Sequence, residues 1–167
     1  MPKTPRTQAT RALDARKIPY TVHTFPDTIR DAEQVATALG IAPEQVFKTL
    51  VVVREDDPNA HPYLVLLPAN AALDLRRFAR AVGVKGVRMA SHEGAERLTG
   101  LKVGGISALA LLNRPFSVYI DASALALHEM LVSGGQRGVD LQLRVADLIA
   151  LTNAQPIEAT IPKEALP

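Results

Sequence analysis

Two short apolar runs, residues 50–53 (Leu-Val-Val-Val) and 63–67 (Tyr-Leu-Val-Leu-Leu), flank the polar stretch 54–62. Runs of this length, aliphatic throughout and bounded by turn-forming residues, read as buried strands. The polar link between them is a surface connection, so the pair is expected to form a hairpin. A strand buried on both faces needs other layers against it, and the rest of the chain supplies amphipathic segments.

A first helix is expected over residues 7–16, stopping before Ile18-Pro19 because the residue preceding proline favours extended backbone. Residues 20–25 alternate as a strand. Asp31 is placed to cap a helix over 32–39 with Gly40 at its end, and Pro43 begins a short helical turn leading to Lys48. Further helices are expected over 74–82 before Gly83, over 91–98 before Gly100, and over 145–151. Strands are expected at 118–120, 130–132 and 141–143. Hairpin-like links and uneven strand lengths favour an α/β (α+β) fold with a mixed, mainly antiparallel sheet flanked by helices, not regular βαβ winding.

The 167 residues contain no repeat and no linker-like tract, which predicts one domain spanning 1–167. The absence of cysteine excludes disulfides, thiolate metal sites and a cysteine nucleophile. The basic N-terminal stretch Met1-Pro2-Lys3-Thr4-Pro5-Arg6 precedes no apolar core, so neither a signal peptide nor a membrane span is expected, and a cytoplasmic location is. A net charge of +2 from 19 basic and 17 acidic residues is too even for bulk attraction to nucleic acid. Basic residues do cluster locally, at Arg6, Arg11, Arg16 and Lys17 and again at Arg76, Arg77, Arg80, Lys85 and Arg88. Each arginine alone reads as a solvated surface residue; together they could meet a tRNA backbone.

Chemistry is expected at two glycine-paired loops, Val103-Gly104-Gly105-Ile106-Ser107 and Ser133-Gly134-Gly135-Gln136-Arg137-Gly138. Glycine pairs serve tight strand turns most often, but they also let backbone N–H groups approach a ligand's oxygen atoms. Lys48 lies in an apolar setting just ahead of the first buried run, where an ammonium needs an anionic partner or a lowered pKa. Lys48 and Arg137 add positive charge, so we expect both loops and Lys48 to share one pocket. Walker, GxGxxG, GxSxG and HExxH patterns are absent, and His23, His61, His92 and His128 are scattered.

The runs Val46-Phe47-Lys48-Thr49-Leu50, Thr99-Gly100-Leu101-Lys102-Val103-Gly104-Gly105-Ile106-Ser107 and Val132-Ser133-Gly134-Gly135-Gln136-Arg137-Gly138-Val139-Asp140 resemble the YbaK family. Residues 17–25 and Ala146-Asp147-Leu148 fit as well, so the resemblance covers nearly the whole chain. These are aminoacyl-tRNA deacylases related to the editing domain of bacterial prolyl-tRNA synthetase. The resemblance implies hydrolysis in trans of the ester of misacylated tRNA, Cys-tRNA(Pro) or Ala-tRNA(Pro) foremost, with no metal, no other cofactor and no covalent intermediate. Misacylated tRNA is the implied partner, with prolyl-tRNA synthetase a further candidate. Lys48 is the implied catalytic side chain, positioning the terminal adenosine and its phosphate or the reacting ester. Phe25, Thr49, Gly104, Gly105, Ser107, Ser133, Gly134, Gly135 and Arg137 are the implied substrate-binding residues.

Three departures bear on substrate choice. Ala108 stands where the family commonly has proline, a loss expected to loosen the pocket wall. Phe25 replaces a frequent tyrosine, and the stretch from Asp27 to Asp31 is shorter than its counterpart. The missing proline keeps a second reading open, a tRNA or aminoacyl-adenosine binding module without turnover.

Overall fold

The computed structural model describes residues 5–166, so residues 1–4 of the basic N-terminal stretch lie outside the described part. Five helices are present among these residues: α1 (Gln8–Ala15), α2 (Ala32–Leu39), α3 (Leu75–Val82), α4 (His92–Thr99) and α5 (Val145–Thr152). Each begins or ends where a local chemical reason exists. Thr7 and Thr10 form a reciprocal capping box on α1, and the side chains of Asp31, Asp74 and Ser91 accept backbone N–H bonds at the starts of α2, α3 and α4. Gly40, Gly83 and Gly100 close those three helices.

The strands are β1 (Thr21–Thr24), β2 (Phe47–Arg54), β3 (Tyr63–Pro68), β4 (Ala71–Leu73), β5 (Val87–Met89), β6 (Ser117–Asp121), β7 (Glu129–Ser133), β8 (Val139–Arg144), β9 (Gln155–Ile157) and β10 (Thr160–Pro162). They build a five-stranded sheet in the order β5-β2-β3-β6-β9, a three-stranded sheet β1-β8-β7, and a small β10-β4 pair. Among the described residues, only the β3–β6 and β6–β9 ladders run parallel. The mixed, mainly antiparallel architecture is thus the one the hairpin spacing implied.

The central hairpin holds the register from Phe47 opposite Pro68 to Val52 opposite Tyr63. Its first strand starts earlier than the apolar run suggested: β2 begins at Phe47, so Lys48 and Thr49 sit within the strand, opposite Leu67 and Leu66. Val46 and Phe47 are almost fully buried, and burying them draws the following polar pair into the ladder. Every residue of β3 is buried, because both faces of the sheet are covered. One face, carrying Phe47, Val51, Leu64, Leu66 and Ile120, packs through the main core onto Met130, Val132, Leu141 and Leu143 of the three-stranded sheet. The opposite face, carrying Val52, Tyr63, Val65 and Leu67, is closed by Phe78 and Ala79 of α3. There Tyr63, Phe78 and Tyr119 meet edge to face with centroids 5.3–5.9 Å apart.

A smaller cluster decides where the site lies. Val35 and Ala36 of α2 pack with Val46, Ala69 and Leu131, which anchors α2 beside the start of β2 and the middle of β7. A parallel bridge between Val46 and Leu131 ties the two sheets at the same place.

Candidate active site

Around that junction lies a cavity of about 210 Å³. Its lining comes from four separate stretches of chain: the approach to α2 and α2 itself, the first half of β2, the loop around Gly104, and the β7–β8 ends at Ser133 and Asp140. The structure therefore brings Phe25, Lys48, Thr49, Gly104 and Ser133 into one cavity. Gly105, Ser107, Gly134, Gly135 and Arg137 do not line it.

Lys48 is half-buried, and its ammonium donates a hydrogen bond to the Ala69 carbonyl at 3.3 Å. Burial pulls its pKa below the ordinary lysine value, the nearby Lys163 charge adds to this, and Asp31 and Glu33 oppose it. An ammonium has three protons to donate, so one carbonyl leaves it able to hold an incoming oxygen. Thr49 contributes a hydroxyl that is buried and unpartnered, an arrangement that costs stability unless a bound group completes it. The hydroxyl of Ser107 is buried and unpartnered too, away from the cavity lining.

The two glycine loops touch each other. Gly105 is buried, and a Cβ placed on it would lie 2.9 Å from both the Arg137 nitrogen and the Gln136 carbonyl carbon. Only a residue without a side chain permits that approach, so Gly105 is the contact point between the loops and not a lining residue. Arg137, read from the sequence as positive charge for the pocket, locks the same contact. Its Nε donates to the Val103 carbonyl at 2.7 Å, and its guanidinium lies 3.9 Å from Glu96 Oε2. Glu96 Oε2 accepts the Val103 N–H at 2.8 Å, and this bond is the main reason its pKa is lowered.

Backbone donors are distributed accordingly. The N–H of Gly105 donates to Lys102, that of Gly134 to the Val139 carbonyl and that of Gly135 to Ser133 Oγ. Gly104, at φ +93°, is the glycine of these four whose N–H has no acceptor among the described residues. Ala108 opens a 3₁₀ turn, Ala108–Ala110, and is itself buried. That first helical position is one where proline is readily accommodated, and here alanine occupies it.

Asp140 escaped the sequence reading as a site residue. It sits on β8 opposite Ser133 of β7 and His23 of β1, so the three side chains share a sheet face. It is 6% exposed, and burial raises its pKa to about 7. A carboxylate between Val139 and Leu141 in a strand was the available signal. Because the folded state holds this proton up to about pH 7 and the unfolded chain releases it near 4, stability falls as pH rises across that window. Asp140→Asn is expected to raise stability on the order of 4 kcal/mol at pH 8 and hardly at pH 4, measured by urea denaturation at both values. An equal gain at both would mean that the carboxyl is not held protonated by burial.

Among the described residues no group of three or more His, Cys, Asp or Glu side chains is placed to hold a metal, and no helix is long and apolar enough to cross a membrane.

Comparison with known proteins bears on what such a cavity does. Residues 27–151 match the model of the aminoacyl-tRNA editing domain. The chain is 34% identical over 157 residues, covering 93% of each protein, to EbsC of Enterococcus faecalis, a protein named as a candidate Cys-tRNA(Pro)/Cys-tRNA(Cys) deacylase. A solved structure described as a candidate trans-editing enzyme for prolyl-tRNA synthetase superposes with a TM-score of 0.78 at 30% identity, over 95% of this chain and 99% of that one. A hypothetical protein of known structure, 23% identical, superposes with a TM-score of 0.82 over 92% and 99% of the two chains, which speaks for the fold. Fold, motifs and matched length agree, and the chain belongs to the aminoacyl-tRNA editing domain family.

Proposed function

We propose that this protein hydrolyses the ester of misacylated tRNA in trans, with Cys-tRNA(Pro) or Ala-tRNA(Pro) as substrate. The observation that carries the reading is the convergence of Lys48, Gly104 and Ser133 on one cavity in a chain of this family. A cavity of about 210 Å³ suits an aminoacyl group and part of its ribose, not a whole nucleotide.

In this reading Lys48 directs its remaining protons at the ester, and the Gly104 N–H meets the oxyanion that forms as the carbonyl is attacked. Donors already aimed at developing charge contribute about 3–4 kcal/mol each to barrier lowering. An ester beside a ribose hydroxyl is already activated, so orientation supplies most of what remains. The attacking atom is a water, or the substrate's own thiol when cysteine is attached. Asp140, able to exist in either protonation state near pH 7, accepts the proton that water loses or binds the substrate's α-ammonium. Phe25 closes the aminoacyl end with an apolar ring. Ser133, whose hydroxyl accepts from the Gly135 N–H, presents its own proton to the ligand. No protein nucleophile is required. Cytoplasmic tRNA is the partner pool, with prolyl-tRNA synthetase as the enzyme whose errors are corrected.

The test is release of amino acid from a panel of tRNA(Pro) charged with cysteine, alanine, serine or proline. Faster release of cysteine or alanine than of proline is expected. Salt-sensitive binding with no release above the uncatalysed rate would replace this reading with that of a binding module.

A further inference from the structure

We infer that Arg30 grips the phosphate of the tRNA's 3′-terminal nucleotide, next to the ester whose hydrolysis is proposed above; the inference rests on that reading. Arg30 precedes the N-cap of α2, is exposed, and lines the same cavity as Lys48 and Gly104. Its aliphatic stem is held against the first glycine loop. A Cβ on Gly104 would come within 3.2 Å of Arg30 Cγ and 3.3 Å of its Cβ. A side chain at Gly104 would crowd this stem, so the glycine lets Arg30 pack closely on the loop with its guanidinium at the cavity.

The other cations around the cavity are committed. Arg137 is bound to the Val103 carbonyl and lies beside Glu96. Lys163 bridges Glu33 and Asp31, with the Asp31 contact at 3.7 Å. Lys48 spends one proton on the Ala69 carbonyl and, in the reading proposed above, the others on the ester. Asp31, the acid adjacent to Arg30 in the chain, is thus engaged by Lys163 and by the Glu33 N–H it caps. Among the described residues Arg30 has neither a carboxylate within ion-pair distance nor a hydrogen-bond acceptor. A guanidinium fork with no internal partner matches two oxygens of a phosphodiester better than any other group in the substrate. The geometry of the substrate agrees: the ester is on the 3′ side of the terminal ribose and the nearest phosphate on its 5′ side, one sugar apart.

The experiment compares wild type, Arg30→Ala and Arg30→Lys on charged tRNA and on a 3′-aminoacyl-adenosine that lacks the 5′ phosphate. Arg30→Ala is expected to raise KM for charged tRNA about tenfold with kcat within twofold, because one charge-assisted contact is lost. The slope of log KM against log salt should fall by about 0.7, the value for one phosphate on a single strand. Arg30→Lys should recover part of the KM and all of the slope. The phosphate-free ester should be cleaved equally by all three. An equal loss on the phosphate-free ester, or an unchanged KM and salt slope on charged tRNA, would overturn the inference. Binding of an uncharged oligonucleotide ending in CCA, titrated against salt, reads the same contact without turnover. If wild type releases no amino acid at all, the deacylase reading fails, while this titration still decides Arg30.

Discussion

Lys48→Ala is expected to reduce kcat for deacylation by about 10²–10³-fold, the loss typical of one donor removed from a developing oxyanion. The fold should survive. Lys48 is half-buried at the point where β2 is laddered to β3 and not yet to β5, and its ammonium makes a single hydrogen bond, to a carbonyl. Removing a partly desolvated charge takes away a cost as well as a contact, so the thermal midpoint should move by only a few degrees. The decisive comparison is single-turnover release of amino acid by the folded variant. Turnover within a few-fold of wild type would remove Lys48 from the chemistry and leave the backbone donors to carry it. Lys48→Arg should not rescue, since a planar fork cannot occupy the place of a compact ammonium beside Ala69.

The second large effect is expected at Gly105→Ala, through a route that the sequence did not suggest. Read as a pocket residue, Gly105 would lose activity because its new methyl crowds the substrate. In the structure the methyl meets backbone atoms of Gln136 and Arg137 at 2.9 Å, and backbone has no rotamer with which to yield. One loop must shift, which strains the Arg137–Val103 bond and displaces Gly104 on the cavity wall. Overpacking of this kind costs typically 1–3 kcal/mol. We therefore expect a lowered thermal midpoint together with a large fall in kcat, whereas Lys48→Ala lowers kcat alone. An alanine variant as stable as wild type but inactive would return Gly105 to the cavity lining.

The parts of the fold visible in the sequence were those with strong local chemistry. The buried runs of β2 and β3 and the caps at Asp31, Asp74 and Ser91 needed no tertiary information. The three-residue strands β4, β5, β9 and β10 carry too little pattern to announce themselves: β5 and β9 exist because the longer β2 and β6 offer them an edge, and β4 and β10 pair with each other across distant parts of the chain. The start of β2 was hidden because Lys48 and Thr49 look like a boundary until Val46 and Phe47 are seen to be buried. Within the site, the placement of Lys48, Phe25 and Ser133 followed from the motifs. The part of Arg137 did not, because a guanidinium's partner 41 positions away in the chain at Glu96 leaves no local trace. Arg30 and Asp31 were overlooked for a related reason: α2 belongs to the site through packing of Val35 and Ala36, and packing is not a motif.

The interlocked glycine loops have a consequence for how proteins of this kind can diverge. One side of the cavity, at Val103, Gly104 and Ile106, rests on backbone pressed on backbone and pinned by Glu96 and Arg137, so almost any replacement at that contact damages the whole assembly. Another side is made of side chains, Phe25 and Val35 among them, on a segment anchored by ordinary apolar contacts. Selection for a new amino acid is then channelled onto that tolerant side: the reaction machinery is inherited unchanged while the identity of the rejected residue is free to drift.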